Sequence, residues 1–446
     1  MLRFNLGLAH YFCTLIIFFS HNLHASICDR TPELVEAISN TLRKPCESIG
    51  ASDLATIVYL DLSNRNITIL KDDDFNGLIS VKSVNFEHNR IKRLPPDIFV
   101  GLPALIDIEL SENIIEDIPA NIFSRNQNLH YIGLANNKLY QLPDGLFANL
   151  KKLNEIYLSF NYLESLPPGI FANLSSIKQI SLRDNSLTFL PDDMFAGDYA
   201  LENIDLDTNP LQSLPKAIFK DLISLNTLRL SDTSLTTLPE ELFQGTPSLE
   251  YLIIAHNKLK RLPKTIFTNH IPRIKKIWMG GNESVFTPEL VNGLSELWFL
   301  YADAKGFSDE QLKNLPKLTF LNLSTIGSGS LMEIHLQDVP SLTSVALRGR
   351  DNSITTIPEN FFQGLSNLKE VWINYTIVSE LPINLFSSIK TLVYINLTSN
   401  LLSNFQKNYF INLPNLKELV LRKNQFSIET QQALVREYEN IHVVFN

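Results

Sequence analysis

Apolar residues recur along this chain in the pattern L-x-x-L-x-L-x-x-N-x-L, and the pattern returns every 24 residues from Val81 through Leu105, Leu129, Leu153, Ile177, Leu201, Leu225 and Leu249. Within one unit, Leu129, Ile132, Leu134, Asn137 and Leu139 typify the first half, and Leu142-Pro143 followed by Phe147 and Leu150 the second. The alternation around Ile132 and Leu134 has the period of a short strand, with residues between the apolar positions facing out. A turn and an irregular return segment complete the unit. One such unit cannot close a core, so the chain must stack its units and bury the Leu and Ile positions between neighbours.

Two further columns run through the stack. Phe75, Phe99, Phe123, Phe147, Phe171, Phe195, Phe219, Phe243 and Phe267 share one offset, and Phe362, Phe386 and Phe410 resume it. They are expected to form an aromatic spine on the side away from the strands. Asn89, Asn113, Asn137, Asn161, Asn185, Asn209 and Asn257 stand where the strand turns into the core, where an amide can satisfy backbone groups of adjacent turns. Thr233 interrupts this ladder. Between 283 and 357 the pattern degrades: the unit from Leu294 is short, Ala302 and Ile326 fall at ladder positions, and the Pro-Phe half is missing from several turns. Gly327-Ser328-Gly329-Ser330 adds a flexible stretch there. Ordinary repeat decay and a local change of curvature are both open readings of this region.

These residues resemble the leucine-rich-repeat superfamily, in particular its 24-residue class with L-P-x-x-x-F in the second half. About sixteen copies lie between residues 57 and 428, ten of them with Asn at the ladder position. The resemblance implies an α/β horseshoe solenoid with a concave parallel β-sheet and an irregular or short-helical convex side, used mainly for protein recognition. Residues 26–56 read as an N-terminal cap, because Thr31 precedes Pro32 and Glu33 and apolar residues follow at helical spacing. The Cys28-Asp29-Arg30-Thr31-Pro32 opening is similar to caps of exported bacterial members, which favours a bacterial source. Residues 429–446 read as a C-terminal cap, an amphipathic helix to Tyr438 and a last strand at Val443 to Phe445.

Residues 1–25 read as a signal peptide, with Arg3, an apolar run at 11–20 and a small residue at Ala25. The run is about half the length that spans a bilayer. Export leaves Cys28 and Cys46 as the mature cysteines, and an even pair in an exported chain reads as a disulfide. The tail is too short for an anchor, so the expectation is a secreted or extracytoplasmic protein without membrane insertion. A net charge of −9 argues against nucleic acid as the partner.

The outward columns suggest where a partner binds. Trp278, Trp298 and Trp372 are read as sharing one outward slot, between the second and third apolar core positions of their repeats, with Tyr251, Tyr301, Phe320, Tyr375 and Tyr394 in neighbouring slots. Exposed aromatics on a rigid sheet bury much area for little lost entropy. The alternative is that some are shielded or turned inward. The N-terminal half of the face is acidic, with Asp61, Glu87, Asp107, Glu109, Glu112, Glu202, Asp205 and Asp207. Calcium would need six to eight converging oxygens, which flat strands rarely supply, so a solvated face is the preferred reading. His88, His130 and His256 lie in separate repeats, and no nucleophile with a base, metal cluster or phosphate loop stands out. No cofactor is called for. The expected function is binding of a protein partner. The alternatives are a structural or adhesive scaffold, or a glycan receptor built on the aromatic row.

Six asparagines, Asn66, Asn173, Asn282, Asn322, Asn374 and Asn396, stand in N-glycosylation sequons. Glycans on the last three would obstruct the aromatic half, a conflict that again favours a bacterial source.

Overall fold

The computed structural model describes residues 26–267, 270–282, 287–303, 312–325, 331, 334, 336–349, 354–407 and 409–445. The leader at 1–25, Ile326 and the stretch 327–330 lie outside the described residues. The described chain forms two compact units, Met1–Leu139 and Tyr140–Asn446.

The first unit begins with the cap. Helix α1 spans Pro32–Leu42 and turns its Leu34, Ala37 and Ile38 face to the first repeat. Proline at its start has no N–H to leave unpaired. Cys28 and Cys46 are joined by a disulfide with their Cα atoms 5.4 Å apart. Thr31 does not cap the helix with its side chain. It is instead drawn to Asp74, whose carboxylate accepts both its N–H and its hydroxyl. Four parallel strands follow, β1 (Tyr59–Asp61), β2 (Ser83–Asn85), β3 (Asp107–Glu109) and β4 (Tyr131–Gly133), paired in strict 24-residue register. The middle residue of each is fully buried because it lies between the stacked core positions on either side.

The second unit continues the same plan through β5 (Glu155–Tyr157), β6 (Gln179–Ser181), β7 (Asn203–Asp205), β8 (Thr227–Arg229), β9 (Tyr251–Ile253) and β10 (Lys276–Trp278). The degraded region does not lose its strands. It lengthens them, as β11 (Phe299–Asp303), β12 (Phe320–Thr325) and β13 (Ser344–Gly349) have five or six residues where regular repeats have three, and β14 (Glu370–Asn374), just beyond it, has five. Then come β15 (Tyr394–Asn396), β16 (Glu418–Val420), helix α2 (Ile428–Glu437) and β17 (His442–Val444). Ser427 accepts the Thr430 N–H and starts that helix.

Both columns behave as expected. Phe75, Phe99 and Phe123 stack in the first unit with centroids 6.3 and 5.9 Å apart, and Phe147 to Phe219 in the second at 5.7 to 6.4 Å. The ladder amides act alike. In Asn185, Nδ2 donates to Leu158 and Leu182 carbonyls at 3.0 and 2.8 Å, and Oδ1 accepts the Leu163 N–H at 3.0 Å. Each such amide links two turns and fills backbone valences that water cannot reach. Thr233 breaks the ladder as its sequence position indicates, and donates to the Leu230 carbonyl instead. Thr376 stands at the ladder position of a later repeat, where its N–H and its hydroxyl both donate to Asn400 Oδ1. In the degraded region the reading of Ala302 as the ladder residue is corrected: Asp303 holds the turn, accepting the N–H groups of Gly281 and Asn282 at 2.9 and 2.8 Å. The five-residue strand carries the chain one position further before it turns.

In the regular repeats the residue just before the ladder position has a left-handed backbone. Asn64, His88, Glu112, Asn136, Phe160, Thr208, His256 and Tyr375 all have φ between 52° and 58°. Glycine fills this place at Gly281, also with positive φ. The turn geometry imposes it, since the chain must reverse before the amide enters the core.

Candidate functional site

The strand face that points to solvent has two columns, one on each side of the buried middle residue. In the second unit the first column runs Tyr251, Lys276, Phe299, Phe320, Ser344, Glu370 and Tyr394, and the second runs Ile253, Trp278, Tyr301, Asn322, Ala346, Trp372 and Asn396. The expected common slot for the three tryptophans is therefore corrected. Trp278 and Trp372 share the second column, but Trp298 sits one residue ahead of β11, level with Lys275. The core positions of its repeat are Leu297, Leu300 and Ala302, so Trp298 follows the first of them rather than the second. It is nonetheless exposed, at 37%.

Tyr301 also departs from expectation. It is outward by register yet only 6% exposed, because its ring lies over the backbone of Gly280. A Cβ on Gly280 would come within 2.2 Å of that ring. Glycine here creates the space that shields the tyrosine. Tyr375 is 53% exposed and faces the Arg348 guanidinium at 5.9 Å. Tyr251, Trp278, Phe320, Trp372 and Tyr394 are half-buried against one another.

Phe299, which the sequence reading passed over, is the residue that joins them. Its ring lies 4.3 Å from Trp278, 6.1 Å from Trp298 and 4.7 Å from Phe320. Phe320 then meets Trp372 at 5.7 Å, and Trp372 meets Tyr394 at 5.6 Å. The result is a continuous run of rings across six strands. At its start Lys276 places its ammonium 4.4 Å from the Trp298 centroid and 5.5 Å from those of Tyr251 and Trp278. Phe299 was legible only after pairing β10 with β11, since no single repeat marks it.

The acidic residues are less isolated than their count suggests. In the first unit the Glu109 carboxylate accepts the Ser111 N–H and the Tyr131 hydroxyl, and Glu112 accepts from Asn136. In the second unit Lys178 pairs with Glu202 at 3.3 Å, and Asp207 lies 3.9 Å from Arg183 while accepting the Ser231 N–H. Burial, and then the neighbouring Asp205, push the Asp207 carboxyl up to about 6. Burial also raises Asp205. These groups answer one another. Among the described residues the metal-type cluster of Cys28, Cys46 and Glu47 is occupied by the disulfide. No helix of the described residues is long and apolar enough to cross a membrane.

Comparison with known proteins agrees with this architecture. The leucine rich repeat model matches residues 55–115, 105–163, 152–207 and 199–259, and the BspA type leucine rich repeat region matches 335–434. No curated protein matches the sequence significantly. Among solved structures, a leucine-rich-repeat protein of Leptospira interrogans is similar at TM-score 0.61 and 23% identity, over 89% of this chain and 97% of that one. The Toll chain of a Drosophila Toll–Spatzle complex is similar at TM-score 0.64 and 22% identity, over 84% of this chain and 52% of that one. InlJ of Listeria monocytogenes is similar at TM-score 0.55 and 17% identity, over 89% of this chain and 75% of that one. At these identities the likeness is one of fold. With the matched repeats, the parallel strands and the asparagine ladder together, the chain belongs to the leucine-rich-repeat superfamily.

Proposed function

We propose that this is an exported recognition protein that binds a protein partner through the solvent-facing strand columns of its second unit, at Tyr251, Trp278, Trp298, Phe320, Trp372, Tyr375 and Tyr394, with Phe299 joining them and Tyr301 buttressing from beneath. The observation that carries the proposal is the unbroken run of rings from Trp278 to Tyr394. Rings fixed by one another lose little entropy when covered, which suits an interface anchor. A protein known to bind a partner with the same fold, Toll in its complex with Spatzle, supports the class of function. Sugar stacking is less well served. Phe299 and Phe320 lie nearly parallel and face each other at 16°, so their faces are already in use.

Export is proposed from the leader at 1–25 and the Cys28–Cys46 disulfide, which persists in oxidising compartments. The chain recovered outside the cytosol should begin near Ser26. Binding is tested by capturing partners with the exported chain and repeating the capture with Trp372→Ala. Truncating an anchor costs about 2 kcal/mol or more, roughly thirtyfold in affinity. A captured protein retained equally by Trp372→Ala and Trp278→Ala would place the interface elsewhere.

A further inference from the structure

The ammonium of Lys276 is fixed but not neutralised. Its neighbour Lys275 is paired with Glu250 at 2.8 Å, whereas among the described residues no carboxylate pairs with Lys276. Three rings hold it instead, Trp298 nearest at 4.4 Å. Ring faces orient a cation and replace part of its hydration while leaving its net charge in place. Beside it lies a groove of about 500 Å³ lined by Thr227, Arg229, Tyr251, Ile253, Lys276 and Trp278. Arg229 lines the same groove, in register with Asp205, and its charge favours the ionised forms of Asp205 and Asp207. Lys276 thus brings an unpaired cation to a groove that also holds Arg229, two rings, an isoleucine and a threonine.

We infer that this groove receives an acidic side chain of a protein partner, Glu or Asp, with its carboxylate on Lys276 and an adjacent aliphatic residue against Ile253 and Trp278. The inference rests on the reading of this face as a protein-binding surface and names the chemistry of the residue it selects. Charge complementarity of this kind sets specificity and association rate. An acidic sugar would meet the same cation, but the Trp298 face on which its ring would stack is covered by the lysine.

The test pans a displayed library of random peptides on the full chain and repeats the selection with Lys276→Gln and Lys276→Arg. Enriched peptides should carry Glu or Asp beside an aliphatic residue. They should bind Lys276→Gln about tenfold more weakly, regain affinity with Lys276→Arg, and weaken as salt rises. Enriched peptides without acidic residues overturn the inference, as does an empty selection. Peptides lost with Trp372→Ala yet indifferent to Lys276→Gln also overturn it, while leaving the proposed binding face standing. Capture of a sialylated glycan, and of no peptide, overturns both.

Discussion

The carboxylate of Asp74 grips Thr31 at two points, accepting its backbone N–H at 2.8 Å on Oδ1 and its hydroxyl at 2.6 Å on Oδ2. Arg30 adds a second hold from the same segment, donating to the Asp74 and Asn76 carbonyls at 2.7 and 2.5 Å. Asp74 is fully buried and stands where later repeats have Ile98, Ile122 or Leu146. The cap is therefore fastened by polar contacts at a site the other repeats fill with aliphatic carbon. Asp74→Ala should leave Thr31 unpaired and cost about 3 kcal/mol. Hydrogen exchange should accelerate first in residues 27–42, and equal acceleration near α2 would show that the cap is not held this way.

The disulfide acts on the same end. Reducing Cys28–Cys46 should cost on the order of 3 kcal/mol, confined to the cap and the first repeats, because a solenoid transmits stability only between neighbours. Uniform loss along the chain in the same exchange experiment would contradict local action.

Asn185→Ala in the ladder should lower stability by about 1 to 3 kcal/mol, since it strands the Leu163 N–H and two carbonyls inside. Thr233→Ala should cost less, as the threonine hydroxyl meets only the Leu230 carbonyl and the Asn257 amide oxygen. Equal denaturation midpoints for the two variants would sink this ranking.

Asp198 occupies the column that Leu150, Leu174 and Leu222 fill in other repeats, and burial pushes its carboxyl up to about 8. Oδ1 accepts the Leu174 N–H, while Oδ2 is buried without a partner. The folded chain thus keeps a proton that the unfolded chain gives up near pH 4, so stability should fall as pH rises from about 4 to 8 and then level off. Asp198→Asn should remove that slope and gain on the order of 3 kcal/mol at pH 8. Asn126 shows that an amide fits this column, donating to the Phe99 and Leu102 carbonyls. Parallel melting curves of the two proteins across this range would contradict the assignment.

Gly280→Ala should force the Tyr301 ring off its seat and into solvent, at a cost of about 1 to 2 kcal/mol. Tyrosine accessibility to nitration would rise at Tyr301 if the ring is displaced. An unchanged nitration pattern would mean the backbone yields instead.

The repeat, its asparagines and its phenylalanine spine were legible because each serves the same contact every 24 residues, and periodicity makes that contact visible. The same logic misplaced Trp298. In its repeat the third core residue is Ala302, too small to announce itself, and the outward Phe299 passes for that core position in the sequence. Nothing local in the sequence marks Asp74 or Asp198 as buried, since an aspartate in a leucine column carries no signal of its own. Lys276 gains its meaning from Tyr251, Trp278 and Trp298, which converge only when β9, β10 and the start of β11 lie side by side.

The left-handed residue before each ladder position strains any side chain other than glycine, by roughly 1 to 2 kcal/mol. Yet the chain places asparagine, histidine, glutamate, phenylalanine, threonine and tyrosine there. Because the backbone at this point is dictated by the turn, it accommodates side chains as different as these. Adjacent strands lie about 4.8 Å apart, so in each unit these residues form a row of interchangeable letters at fixed pitch. Mutation can rewrite such a row one letter at a time, changing what the surface says to a partner while the scaffold beneath it stays the same.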